Sequence, residues 1–444
     1  MPHIAIIGGG LAGCECAWRL AQAGIAVRLF EMKPLKRSPA HNEDGLAELV
    51  CSNSLRSEDP DSAVGQLKIE MREAGSLVME AAEAARVPAG KALAVDRRLF
   101  SEYVTAKVEA HPLIEVVRAE VDSLDSPLLG DARRVVVAAG PLASDGLAAS
   151  LAQAVGDREL YFHDAIAPIV EADSVDMEHA FWGSRYRPED DDYLNCPLNR
   201  EEYETFVREL LAAETVPCRE FEEHMHFEGC LPIEEMAARG EMTLAFGPMK
   251  PVGLDDPRTG RRPYAVLQLR AENRERTAFN LVGFQTKLKY PEQKRVFGLI
   301  PALRHAEYAR LGSIHRNTFV NAPTVLNDEL ELKARPGVHL AGQITGVEGY
   351  LESAACGLWV GLMLAAKAQG RSLPMPPRET AMGALLSHLR TPAKNFQPSN
   401  VQFGLSPALD MRAGRKKRKT LYAERAREHW TVWLAEHVTG QVPS

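Results

Sequence analysis

The sequence predicts an α/β protein whose parallel sheet opens at residue 3, and three observations carry that prediction. Residues 3–7, His-Ile-Ala-Ile-Ile, are an apolar run short enough for a buried strand. A glycine turn, Gly8-Gly9-Gly10-Leu11-Ala12-Gly13, follows at once and leads into a helical pattern. A second apolar run, Val27 to Phe30, ends in an acid, Glu31, 18 residues after Gly13. Strand, glycine turn, helix, strand and acid in that order describe a Rossmann-like, dinucleotide-binding unit. Gly8 allows the tight turn, Gly10 lets the backbone approach a pyrophosphate, and Gly13 lets helix and strand pack closely. The helix N-terminus, reached through Gly9, Leu11 and Ala12, offers unpaired N–H groups to the anion. Glu31 is placed to accept from a ribose hydroxyl. A glycine turn with no ligand is the bland alternative, and the ordered context argues against it.

Residues 33–65 are rich in Pro, Ser, Asn and Asp and read as a long loop. A loop of that length inside a compact domain is usually functional. Residues 66–86 alternate apolar and charged residues at helical spacing, and 113–121 are β-like. Residues 134–139 read as a buried strand ending in Gly140-Pro141, the second turn expected beside a dinucleotide in a flavoprotein. A similar signal returns late: a short strand from Val338, the glycine turn around Gly342 and Gly346, then a helix over 357–369. The nucleotide-binding domain is therefore expected over 1–160 and 325–372, interrupted by an α+β insertion over 161–324. The insertion shows strands at 265–269 and 281–284 and a helix at 201–214. A Pro-rich stretch from Pro374 leads into a C-terminal helical tail, 373–444, that carries a basic cluster.

A chain of 444 residues is too long for one core. Its composition, 45% hydrophobic and 25% charged, is that of a globular protein. No apolar run reads as long enough to span a bilayer: the longest, 356–366, is closed by Lys367. The N-terminus lacks the basic start of a signal peptide, which points to the cytoplasm. The net charge of −8 gives no hint of nucleic acid, but its distribution does. Arg412, Arg415, Lys416, Lys417, Arg418 and Lys419 form a local anion-binding patch, with a solvated helix face as the plain alternative.

The seven cysteines, an odd number, make no C-x-x-C pair, which argues against both a disulfide framework and a zinc site. Cys14 and Cys16 read as small buried apolar residues. Cys51, in Val-Cys-Ser-Asn-Ser, and Cys230, in Glu-Gly-Cys-Leu-Pro, sit among small, polar and turn-forming residues, where a thiol can be exposed and activated. Cys196 and Cys218 compete with them, and spacing alone does not choose. His315-Arg316-Asn317 and Asp96-Arg97 are weaker candidates for gripping a ligand, with ordinary salt bridges as the alternative. Tyr350 is placed to stack near a cofactor ring, or else is a core tyrosine with a satisfied hydroxyl.

Along its length the chain resembles the folate- and FAD-dependent tRNA uracil-5-methyltransferases. The matching segments include GGGLAGCECAWRLA, LFEMKP, AELVCSNSL, DYLNCP, FEGCLPIEEMA, FGPMKPVGL, LVGFQTKLKYPEQKRVF, HRNTFVNAP and GQITGVEGYLESAACG. The related GidA-type flavoproteins, which modify the wobble uridine, are longer and carry a helical extension for a GTPase partner. The resemblance implies a glutathione-reductase type FAD domain that binds FAD through Gly8, Gly9, Gly10, Leu11, Ala12, Gly13, Glu31, Gly342, Gly346 and Tyr350. It implies transfer of the methylene of 5,10-methylenetetrahydrofolate through reduced FAD to C5 of the T-loop uridine of tRNA, with NAD(P)H as reductant and ribothymidine as product. It implies Cys51 and Cys230 as the catalytic thiols, with Cys230 as the C6 nucleophile and Cys51 as its partner. Under it the basic tail meets tRNA, and no metal, membrane or obligate protein partner is expected. The competing readings are a GidA-like wobble-uridine enzyme, an FAD/NAD(P)H thiol oxidoreductase, which usually needs a close cysteine pair, and a flavin-containing RNA-binding protein without turnover.

Overall fold

The computed structural model describes residues 3–38, 40–156, 159–187, 189–216, 231–393, 396–409 and 414–439. Five parallel strands form the first sheet: β1 (Ile4–Ile7), β2 (Val27–Glu31), β3 (Ile114–Arg118), β4 (Arg134–Val137) and β5 (Val338–Leu340), in spatial order β5-β4-β1-β2-β3. β1 lies at the centre, with Ile4 opposite Val27 on one side and Arg134 on the other. All four of its residues are buried, as a strand covered on both faces requires. The α/β class and the parallel sheet are those expected from the sequence.

Helix α1 (Leu11–Gln22) packs against a long helix that begins at residue 350. The approach is close because that helix presents glycines. A Cβ on Gly361 would stand 3.1 Å from the Cys16 carbonyl oxygen. The helical pattern over 66–86 resolves into two helices, α2 (Ala63–Glu73) and Leu77–Ala84. Gly75, at φ +78°, ends the first, and Ser76 caps the second by accepting from the Met79 N–H at 3.2 Å. The late helix, α3 (Tyr350–Ala368), starts seven residues before the sequence suggests, behind Gly349 at φ +112°. That extension makes it 19 residues with a mean hydropathy of 1.3, long and apolar enough to cross a bilayer, yet 89% of that window is buried in the protein.

The second sheet has six antiparallel strands, in order Phe181–Trp182, Tyr193–Leu198, Ala265–Ala271, Ala278–Leu281, Ile169–Glu171 and Tyr308–Arg310. The strand expected at 281–284 ends at Leu281, because the chain turns at Gly283 with φ +78°. This sheet packs on the helix Arg200–Ala212 and has its own apolar core, separate from the core under the parallel sheet. Strands Glu159–Ile166 and Ser313–Val320 pair with each other and link the two halves.

Toward the C-terminus, α4 (Ala381–His388) is held by the buried Glu70 carboxylate, which accepts from the Ala381 and Met382 N–H groups at 2.7 Å each. The last helix, α5 (Arg415–Leu434), is docked rather than frayed. Ala423, Ala426, Trp430 and Trp433 are buried at helical spacing, and Trp433 meets Trp359 of α3.

Candidate active site

A cavity of about 400 Å³ opens at the C-terminal ends of β1 and β2, where open α/β sheets bind ligands. Gly8, Gly9, Gly10, Leu11 and Ala12 line one end of it. Gly8 adopts φ +107°, and a Cβ there would lie 2.7 Å from Ala139 Cα. Gly13 does not line the cavity; it lies against the Gly8 backbone, where a side chain would collide. No side chain caps the first turn of α1, so its N–H groups are left to an anion in the cavity. Glu31, at the end of β2, is buried and accepts from the Gly9 and Lys33 N–H groups at 2.9 Å each. Its carboxylate therefore stands beside the turn, within the cavity wall.

The far wall comes from the returning segment. Gly342, at φ +83°, approaches α1 so closely that a Cβ would stand 2.8 Å from Ala12 Cβ. Gly346 does not line the cavity; it turns under Phe396, 2.7 Å from where its Cβ would be. Glu352, in the first turn of α3, is fully buried, pairs with Arg56 and accepts from the Val401 N–H at 2.9 Å. Its second oxygen, below the cavity-lining Gly349, has no partner among the described residues. Uncapped helix, glycine cradle and placed carboxylate together fit the pyrophosphate and ribose of a dinucleotide cofactor.

Cys51 reaches the same cavity from the long early loop. Its sulfur lies 3.0 Å from the Tyr350 hydroxyl, which also accepts from the backbone N–H groups of Cys51 at 2.7 Å and Ser52 at 3.2 Å. Burial, then the nearby sulfur, pushes the Tyr350 phenol well above the usual range, so it stays protonated. Tyr350 is thus a cavity-lining residue with an engaged hydroxyl.

Burial removes the other described thiols from contention. Cys14, Cys16 and Cys356 are buried in α1 and α3. Cys196, credible from its Asn-Cys-Pro context, sits on the interior strand Tyr193–Leu198 with no exposed surface, and burial pushes its thiol far above the usual range. Cys230, Cys218 and Arg412 lie outside the described residues. Of the basic cluster, Arg415 to Lys419 open α5, and Lys417, Arg418 and Lys419 are exposed. Asp96 is an N-cap, accepting from the Leu99 N–H at 3.0 Å. His315, Arg316 and Asn317 fall on the strand Ser313–Val320.

Arg97 does more than a surface salt bridge. It pairs with Glu272 and donates to the Leu49 carbonyl at 2.6 Å and the Val50 carbonyl at 3.2 Å. Arg270 donates to Ser52 Oγ at 2.9 Å and Asn53 Oδ1 at 2.8 Å. Arg310 adds a third guanidinium in the field of Cys51 and Tyr350, with two buried N–H groups unpaired among the described residues. Arg270 and Glu272 are residues that composition and motif do not reveal. Their signal is alternation. Leu267, Leu269 and Ala271 face the second core, while Gln268, Arg270 and Glu272 occupy the other face and are also buried.

Against known proteins, residues 3–372 match the family described as "Glucose inhibited division protein A". The chain is 66% identical over 435 residues to a protein of Oleidesulfovibrio alaskensis named methylenetetrahydrofolate--tRNA-(uracil-5-)-methyltransferase TrmFO, covering 98% of each chain. A protein of Geobacter sulfurreducens with the same name is 60% identical over 434 residues, covering 97% of this chain and 99% of its own. Among solved structures, GidA of Aquifex aeolicus superposes with a TM-score of 0.68 at 15% identity, covering 97% of this chain and 73% of the other, a likeness of fold.

Proposed function

The chain belongs to the glucose-inhibited division protein A family, and from that membership we infer the activity its relatives' name describes: folate-dependent methylation of uracil C5 in tRNA. The observation that carries the inference is near-complete coverage of both chains at 66% identity, joined to a thiol standing in a dinucleotide-type cavity. The enzyme is a flavoprotein methyltransferase that uses FAD, 5,10-methylenetetrahydrofolate and NAD(P)H. It makes ribothymidine at the T-loop uridine.

The chain's own residues have defined tasks. The Gly8–Gly13 turn and the α1 N-terminus would hold the FAD pyrophosphate, and Glu31 its ribose. When bound there, FAD supplies reducing equivalents and carriage of the one-carbon unit. Uracil C5 is a poor nucleophile. A thiolate adding to C6 turns the ring into an enolate whose C5 can attack an electrophilic carbon. The C5 proton then leaves as the carbon parts from its carrier, a hydride equivalent that NAD(P)H would supply through the bound flavin makes the methylene a methyl, and the thiolate is expelled from C6. We assign the addition to Cys230 and the partner role to Cys51. Support for Cys51 is its place in the cavity wall, and support for Cys230 is the FEGC match and the burial of Cys14, Cys16, Cys196 and Cys356. Tyr350 holds the Cys51 loop through two backbone N–H groups. The target base must leave its stack to reach the cavity. Lys417, Arg418 and Lys419 would meet the tRNA backbone. Our reading places the enzyme in the cytoplasm, with no obligate protein partner.

The test is incubation of the purified protein with unmodified tRNA, methylenetetrahydrofolate and NAD(P)H, followed by digestion and mass spectrometry for ribothymidine. RNA containing 5-fluorouridine separates the thiols. An adduct that survives Cys230→Ala but not Cys51→Ala reverses their roles.

A further inference from the structure

We propose that Arg97 and Arg270 are positioning residues for Cys51, and that through them the antiparallel sheet sets the thiol in the cofactor cavity. The inference rests on the reading of Cys51 as a functional thiol. The two guanidinia hold the chain on opposite sides of it. Arg97 takes the carbonyls of Leu49 and Val50, the two residues before Cys51. Arg270 takes the side chains of Ser52 and Asn53, the two residues after it. Asn53 completes the grip by donating to the Val95 carbonyl at 3.0 Å and the Ala271 carbonyl at 2.8 Å. Residue 51 is thus the middle of a five-residue span whose other four members are each tied down.

The clamp joins the two halves of the molecule. Arg97 opens the helix Arg97–Glu109, on the side of the parallel sheet. Arg270 lies on the strand Ala265–Ala271, and Glu272 follows that strand directly. Glu272 pairs with Arg97 and also favours the charged form of Arg270. One carboxylate therefore pairs with Arg97 and offsets the repulsion between the two guanidinia. Arg270 is 6% exposed and Glu272 7%. Buried charge of this kind is weak evidence for stability, since well-packed apolar residues often serve a fold as well. A planar fork that donates to two acceptors at once fixes a loop as an ammonium cannot. A reacting group displaced by about 1 Å can lose roughly a hundredfold in rate, so a loop-borne thiol gains from such a grip.

The experiment compares wild type with Arg270→Gln, Arg270→Lys and Arg97→Lys, each purified with flavin. Three quantities are read: kcat and KM for unmodified tRNA, the rate of Cys51 alkylation by iodoacetamide from peptide mass spectrometry, and flavin content. Arg270→Gln should lower kcat about tenfold or more while KM for tRNA stays within about twofold, and should change the Cys51 alkylation rate at least about threefold. Arg270→Lys should recover part of both. Wild-type kcat and alkylation in a flavin-loaded Arg270→Gln protein overturn the clamp, and so does a loss confined to KM. If Arg270→Gln does not fold, Arg97→Lys, which keeps the charge and loses the two-carbonyl grip, is judged by the same two readouts. A wild-type enzyme that makes no ribothymidine sinks the functional reading, while the alkylation comparison still decides the clamp.

Discussion

The hydroxyl of Tyr350 stands 2.7 Å from the backbone nitrogen of Cys51 and 3.0 Å from its sulfur, across 299 residues of sequence. That pairing closes the cavity by tying the early loop to the first turn of α3. Tyr350→Phe removes the acceptor from two N–H groups and the hydroxyl from the sulfur. The variant should retain flavin, because the glycine turn is untouched, and should lose roughly tenfold or more in ribothymidine formation. Single-turnover methylation with flavin content measured alongside checks it. Full activity would show that the hydroxyl only fills space.

Gly13→Ala places a methyl group against the Gly8 backbone. Helix α1 must then move off β1, and the pyrophosphate loses its cradle. The expected outcome is protein purified without yellow colour and with a lower melting temperature. Visible absorbance of the bound flavin reads the first, and a thermal melt the second. Gly10→Ala separates the two effects: a Cβ there meets no protein atom within 4 Å but stands in the cavity wall beside the pyrophosphate site, so it should cost flavin without displacing α1.

The fold class and the cofactor end of the site were legible because they are local. Gly8 to Gly13 and Glu31 fall within one strand-turn-helix-strand unit, where spacing along the chain becomes spacing in space. The thiol wall was legible only by residue. Cys51 stands out by its neighbours, but its partners Tyr350, Arg97 and Arg270 are brought to it by tertiary packing. Cys196 looked reactive for the opposite reason. Its Asn-Cys-Pro context reads as a turn, yet Cys196 lies opposite Leu267 in the antiparallel ladder, inside the core. Tyr350 was placed near a ring by the glycine before it, while its bond to Cys51 has no sequence signature.

Stability should fall on the acid side through His339. Both its ring nitrogens are buried without a partner among the described residues, and burial lowers its pKa from 6.5 to about 4. The native state therefore keeps the ring neutral while the unfolded chain takes up a proton. The contribution of this group is complete above pH 6.5 and drains away as pH falls toward 4, by about 3 kcal/mol in all. His339→Phe, of similar shape, should flatten that part of the profile. Urea unfolding at about pH 7.5 and about pH 5 compares the two proteins. An unchanged difference between the two pH values would mean that His339 titrates normally in the folded state.

The exposed cations of α5 should act on RNA and not on the fold. Trp430 and Trp433 anchor the helix in the first core, and Thr420 Oγ1 donates to Asp61 at 2.8 Å, so the cationic turn stands on a fixed support. Lys417, Arg418 and Lys419 are exposed on that turn. Replacing all three by Ala should leave melting temperature and flavin content unchanged, because none of their side chains is buried. Removing one cation from a phosphate reduces the slope of log affinity against log salt by about 0.9, so removing three would lower it by nearly three units. Binding of unmodified tRNA from about 50 to 300 mM salt measures that slope. An unchanged slope removes α5 from the tRNA interface and leaves the basic turn as a solvated helix start. A changed slope with unchanged kcat at saturating tRNA places these cations in docking, remote from the thiol.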